Sequence, residues 1–298
     1  MFRQRGIIAS SRPDLVGDVF SVRALEDMVE QYNRFYIPVI VEHDPRSRPI
    51  GRGHRAWLEA REDGVVVVAV EFEFFEEGDT PDSLRGDGRR VPQHSDGPGL
   101  VVSYDETFGD ERREPARDVR ELAEMLNAST QLAMKKSVDP ITVLVLAGTF
   151  VAGGFANGLL GAIGTDAWTL VKEKLRAIFE ARKKPGQERI LELQARFETE
   201  RGPVVAHVLV VNPEVPGTLD GCMESAFPLA GRLLPELLAQ EPDLASFTME
   251  YREGKSRILF GVRRDAAPLH IEIKDSNGLV RKGSTGPKTR KKKKRRMR

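Results

Sequence analysis

The chain has 298 residues, 40% hydrophobic and 7% aromatic, which suffices for one large core or two ordinary ones and is too apolar for a wholly disordered protein. Its single cysteine, Cys222, excludes a disulfide framework and any zinc site built on cysteine pairs. The net charge of +1 conceals an asymmetry: residues 281–298 carry eleven Lys and Arg and no acid, leaving 35 basic against 45 acidic residues in the rest of the chain.

In chain order, Gly6-Ile7-Ile8-Ala9-Ser10 reads as a short strand. Val22, Leu25, Met28, Val29, Tyr32 and Phe35 recur at helical spacing behind Ser21, a suitable N-cap. The stretches 36–41, 50–60, 64–75 and 99–108 return to β-branched, partly alternating chemistry, with a hairpin turn at Glu62-Asp63-Gly64. The segment 77–98, rich in Gly, Pro, Asp and Arg, reads as a long loop, and a charged helix is expected over 118–136. Beyond residue 186 the pattern predicts a helix over 187–200, a strand over 204–211 and an amphipathic helix over 219–240. Two strands flank Glu253-Gly254-Lys255, and a last strand is expected over 269–273. No internal repeat is visible.

Three N-terminal pieces occur in a telling order: Asp14-Leu15-Val16-Gly17-Asp18-Val19 before the helix, an apolar strand ending in His43-Asp44, and Pro49-Ile50-Gly51 opening the next strand. This order resembles the tailed-phage prohead (capsid maturation) serine proteases over about the first third of the chain. The resemblance implies a β-barrel fold, His43 as general base, and a serine nucleophile on a later strand. Ser103 in Val101-Val102-Ser103-Tyr104 is the candidate, although Asp105 and Glu106 follow where the family has apolar residues. The family's third catalytic member, before a Pro-Ala-Asn motif, has no counterpart. Such a member is needed because a serine hydroxyl is a weak nucleophile until a neutral imidazole takes its proton, and a further group must fix the imidazole tautomer. Asp105, His94 and Asp44 are candidates for that group. His54 and His207 read as ordinary strand residues, and the five histidines show no metal-ligand spacing. Gly51-Arg52-Gly53 and Gly153-Gly154 lack the ending of a phosphate loop, so neither metal nor cofactor is expected.

Residues 141–165, from Ile141 through Gly148, Gly154 and Gly158 to Thr165, contain no charge. As a helix they would be ~37 Å long, against a hydrocarbon core of ~30 Å. Six glycines weaken such a helix in water and equally suit a packing face inside a protein. A basic amphipathic helix with Trp168, Val171, Leu175 and Ile178 on one face follows. The tail bearing Lys291, Lys292, Lys293, Lys294, Arg295 and Arg296 is suited to sequence-independent polyanion contact, either nucleic acid or anionic lipid.

The sequence therefore predicts an α+β protein: a prohead-protease-like barrel (1–110), a charged helical linker (111–138), hydrophobic and amphipathic helices (139–186), a small α/β domain (187–275) and a disordered basic tail (276–298). Two functions follow. One is a serine endopeptidase acting on a protein substrate or a capsid- or scaffold-type protein. The other is a non-catalytic, membrane-active or oligomerising effector whose barrel is a recognition or regulatory module, with homo-oligomers as its working form. With no apolar run of signal-peptide length at the start, the expected compartment is the cytoplasm, in association with the inner membrane face.

Overall fold

The computed structural model describes residues 1–13, 19–41, 44–76, 79, 85–92, 101–104, 115–132, 142–149, 165–183, 185, 188–274 and 279–282. The fold is α+β, organised around a four-stranded and an eight-stranded sheet with a separate two-stranded hairpin.

The smaller sheet is wholly antiparallel, in the order β1-β4-β3-β2, from β1 (Phe2–Ser10), β2 (Pro38–Val39), β3 (Gly51–Ala60) and β4 (Val66–Phe74). The turn through Gly64, at φ +80°, joins β3 to β4 as the sequence predicts. Helix α1 (Val22–Arg34) is capped by the Ser21 hydroxyl, which accepts from the Ala24 amide at 3.2 Å. Its Leu25, Met28, Val29 and Tyr32 pack over Ala9, Ala56, Val68 and Val70, while Val22 remains exposed. Gly51, which opens β3, admits no side chain, because a Cβ there would overlap the backbone carbonyl of Glu73 on β4.

The larger sheet has the order β12-β11-β10-β9-β8-β7-β5-β6. Its strands are β5 (Val101–Tyr104), β6 (Ser129–Leu132), β7 (Thr142–Thr149), β8 (Arg189–Phe197), β9 (Val204–Val211), β10 (Leu244–Arg252), β11 (Lys255–Arg263) and β12 (Pro268–Leu269). Three pairs are parallel: β5 with β6, β7 with β8, and β9 with β10. Each is joined by a helical crossover, through α2 (Arg117–Met125), α3 (Thr165–Ala181), and α4 (Thr218–Gly221) running on by a π-turn (Cys222–Ala226) into α5 (Phe227–Gln240). A strand–helix–strand unit thus occurs three times although the sequence shows no repeat. Val119 and Leu122 of α2, Val171 and Leu175 of α3, and Leu233 and Leu237 of α5 bury one sheet face, contributed by Leu191, Leu193, Val208, Phe247 and Met249 among others.

The chain departs from the sequence expectations at several elements. Residues 189–197 are a strand rather than a helix: Leu191, Leu193, Ala195 and Phe197 alternate with Glu192, Gln194 and Arg196, the period of two that a sheet requires. The helix expected over 118–136 ends at Met125, and Asn127 at φ 48° turns the chain into β6. The uncharged segment does not form one helix from Ile141 to Thr165. Residues 142–149, including Gly148, are β7, hydrogen-bonded on both sides, and a strand so enclosed reads as an unbroken apolar run. Thr165 begins α3, whereas Ile141, Gly154 and Gly158 lie outside the described residues. Among the described residues no helix is long and apolar enough to cross a membrane. The larger sheet takes strands from all four of the compositional segments between 99 and 275, so Ser103 belongs to it and not to the N-terminal sheet. Within the basic tail, β14 (Leu279–Lys282) pairs with β13 (Ile271–Lys274), and Lys291, Lys292, Lys293, Lys294, Arg295 and Arg296 lie outside the described residues.

Candidate functional site

Strand register fixes what lies beside Ser103. It stands opposite Val145 of β7, which is level with Glu192 of β8, which in turn faces Leu209 of β9. In-register residues share a face, so Ser103 and Glu192 lie on the side away from the helices, about 10 Å apart at two strand spacings. That face carries a polar cluster. His207 Nδ1 is 2.7 Å from Glu192 Oε1, which also accepts Gln194 Nε2 at 2.8 Å. The carboxylate orients the imidazole, as a second group must for a histidine that moves protons. Yet His207 is three strands and two residues from Ser103, on the order of 16 Å, well beyond hydrogen-bond reach of its hydroxyl. The pair is a half-buried histidine satisfied by a carboxylate. The sequence signal for it was the alternation Glu192-x-Gln194 within an apolar strand.

His43, His94 and Asp105 lie outside the described residues. The chain from Asp44 to Glu76 is described, and it is tethered to the larger sheet. Asp44 accepts the Arg46 amide at 2.9 Å and the Arg46 guanidinium at 2.9 Å. Arg46 also pairs with Glu188 just before β8, and Glu188 accepts Arg252 Nη2 at 2.6 Å. Arg252 and Arg257 both approach Glu250 of β10, at 3.4 and 2.9 Å. The hydrogen bond that Arg46 donates to Asp44 raises the Arg46 pKa; partial burial works against this, and Glu188 adds to it. Asp44, a candidate to orient His43, is therefore engaged by Arg46.

A second junction is buried. Arg52, 1% exposed and the largest fully buried side chain, donates Nε to Glu73 Oε2 at 2.9 Å and Nη1 to the Asp265 carbonyl at 2.7 Å, reaching from β3 to the turn after β11. Its guanidinium carbon is 4.4 Å from the Tyr36 ring centre, as is that of Arg89. The Tyr36 hydroxyl donates to Asp87 at 2.8 Å. Burial opposes ionisation of Glu73, but hydrogen bonds from Arg52 and Arg3 outweigh it and hold its pKa below the ordinary value. Beside it, His54 Nδ1 lies 3.6 Å from Glu73 and has no hydrogen-bond partner among the described residues. Sequence reasoning missed Arg52, whose signal is a lone arginine between two strand glycines, and Glu73, an acid alternating within an apolar strand.

Among the described residues no group of three or more His, Cys, Asp or Glu side chains could hold a metal ion. Cys222 is buried, and desolvation pushes its thiol pKa far upward, away from nucleophilic use. Comparison with protein-family models, curated proteins and solved structures returns no match.

Proposed function

We propose that the chain is a non-catalytic recognition or assembly protein. In this reading the N-terminal unit, prohead-protease-like in its motif order, is a regulatory module seated on a larger strand–helix–strand body, and a protein of capsid or scaffold type is its partner. One observation carries the reading: β5, with Ser103, hydrogen-bonds between β6 and β7, while the strand leading towards His43 pairs with β3 in the other sheet. In addition, Asp44 is engaged by Arg46, and Arg52 and Glu73 are used in docking. The uncharged segment, a strand over 142–149, gives no support to a membrane span.

The competing peptidase reading has an observation of its own. The Arg46–Glu188 pair fastens the turn after His43 to the sheet whose side away from the helices carries Ser103. Intact mass of the purified chain after prolonged incubation, alone and with a denatured protein substrate, separates the two. Wild type, Ser103→Ala and His43→Ala are expected to keep the same mass and leave the substrate uncut. Cleavage by wild type that disappears in both variants overturns the non-catalytic reading and establishes the pair as one catalytic unit.

A further inference from the structure

Strand β11 runs out into two consecutive arginines, Arg263 and Arg264, which are 6% and 5% exposed. Their surroundings differ. Arg263 is ringed by carboxylates: Asp265 at 3.4 Å, Glu241 at 3.6 Å and Asp243 at 3.9 Å. Arg264 donates Nη2 to the Gly202 carbonyl at 3.0 Å, its Nε has no partner, and among the described residues no carboxylate is within ion-pair distance of it. A guanidinium out of water is ordinarily matched by a carboxylate or a phosphate, and leaving it unmatched is costly.

The nearby charges sharpen the contrast. Arg90 and Arg201 act on Arg264 as like charges, and among the described residues the opposing charge is Asp243, which already lies 3.6 Å from Arg201 and 3.9 Å from Arg263. Burial first, and then Arg90, lower the Arg264 pKa from its ordinary value. Three segments meet here: the β8–β9 turn with Arg201 and Gly202, the β11–β12 turn, and residues 89–91, whose Val91 amide donates to the Arg264 carbonyl at 2.6 Å. Gly202 sits at φ +106°, and a Cβ there would lie 3.3 Å from Arg264 Nη1, so glycine leaves the guanidinium its room.

We propose that Arg264, with Arg90 and Arg201 beside it, binds a phosphate-type oxyanion at the junction of the two sheets. Guanidinium forks match the oxygens of phosphate bidentately, and a doubly charged anion offsets the excess of cations better than a carboxylate does. Free phosphate and a phosphate monoester share this chemistry. The site is independent of the role given to Ser103.

The test is isothermal titration calorimetry and thermal melting of the full chain with inorganic phosphate, and in a parallel arm with adenosine monophosphate, against sodium chloride at matched ionic strength. Wild type is expected to bind saturably and melt higher. Tighter binding in the nucleotide arm identifies an ester as the ligand, and equal binding identifies the free anion. Arg90→Ala and Arg201→Ala, both at exposed positions, should each weaken binding by roughly tenfold, the worth of one charge-assisted hydrogen bond. Arg264→Met should abolish it. Should Arg264→Met fail to fold, Gly202→Ala, which crowds Nη1, should weaken binding in a chain whose far-ultraviolet spectrum is unchanged. No saturable phosphate response by about 10 mM, or wild-type affinity in both Arg90→Ala and Arg201→Ala, overturns the proposal.

Discussion

In the smaller sheet, β3 and β4 are joined by a short turn and β1 returns onto β4, so every pairing is antiparallel, and one helix, through its own buried Leu25, covers four buried sheet residues. In the larger sheet three of the seven pairings are parallel, each needs a helical crossover, and three helices bury a much larger core. A core as small as the first supplies little stability by itself. Its attachment through Arg52 is therefore part of its stability, whereas the larger sheet has a far larger core of its own. The two units should differ in how they fail.

The largest effect is expected in the larger core. Phe247→Ala removes a fully buried ring from β10 and should cost about 3–5 kcal/mol. Because the smaller sheet docks on this body, denaturant melts followed in both units should shift together. A shift confined to the larger unit would show that the smaller one stands alone.

Next in size is the junction. Arg52→Met leaves Glu73 buried without its main cation, at a cost of about 3 kcal/mol, typical of breaking a buried pair. Calorimetry should then resolve two transitions in place of one, the smaller sheet melting first. The same contact sets an acid limit. The Glu73 pKa is lowered in the fold, so its contribution is fully present above the unfolded value near ~4.3 and is lost as pH falls through the still lower folded value. Glu73→Gln should abolish that part of the acid dependence, and an unchanged acid melt would place the sensitivity elsewhere.

The smallest effect belongs to the outer tether. Arg46 and Glu188 are partly exposed, and Arg46→Ala should cost less than about 1 kcal/mol and less still at high salt. A loss as large as that of Arg52→Met would make the tether, not the buried arginine, the main fastening between the units.

The N-terminal unit was the more legible because its signals are local. Ser21 caps α1, Leu25, Met28 and Tyr32 give its buried stripe, Gly64 turns β3 into β4, and Gly51 marks the close approach of two backbones. In the larger unit, 204–211, 219–240 and the Glu253-Gly254 hairpin were read correctly for the same reason. The strand at 142–149 was hidden by its own composition: apolar on both faces, it carries no period to tell strand from helix. The candidate site fared worse. That Ser103 and Glu192 share a face, or that Arg46 reaches Glu188, depends on register between strands distant in sequence.

The sequence by itself determined the α+β class, the caps and turns, and which helix faces are apolar, because backbone sterics and side-chain periodicity act over a few residues. Only the tertiary structure decided that residues 101–269 contribute to one sheet, that Ser103 lies outside the N-terminal one, and that Arg52 is a buried fastening while Arg264, among the described residues, is left with its Nε unpartnered. Strand pairing, ion pairing and hydrogen bonding join residues far apart in the sequence; Arg52 and the Asp265 carbonyl are 213 positions apart. No local pattern encodes such partners; they are chosen when hydrophobic burial brings the sheets together and each buried charge must find its counterpart.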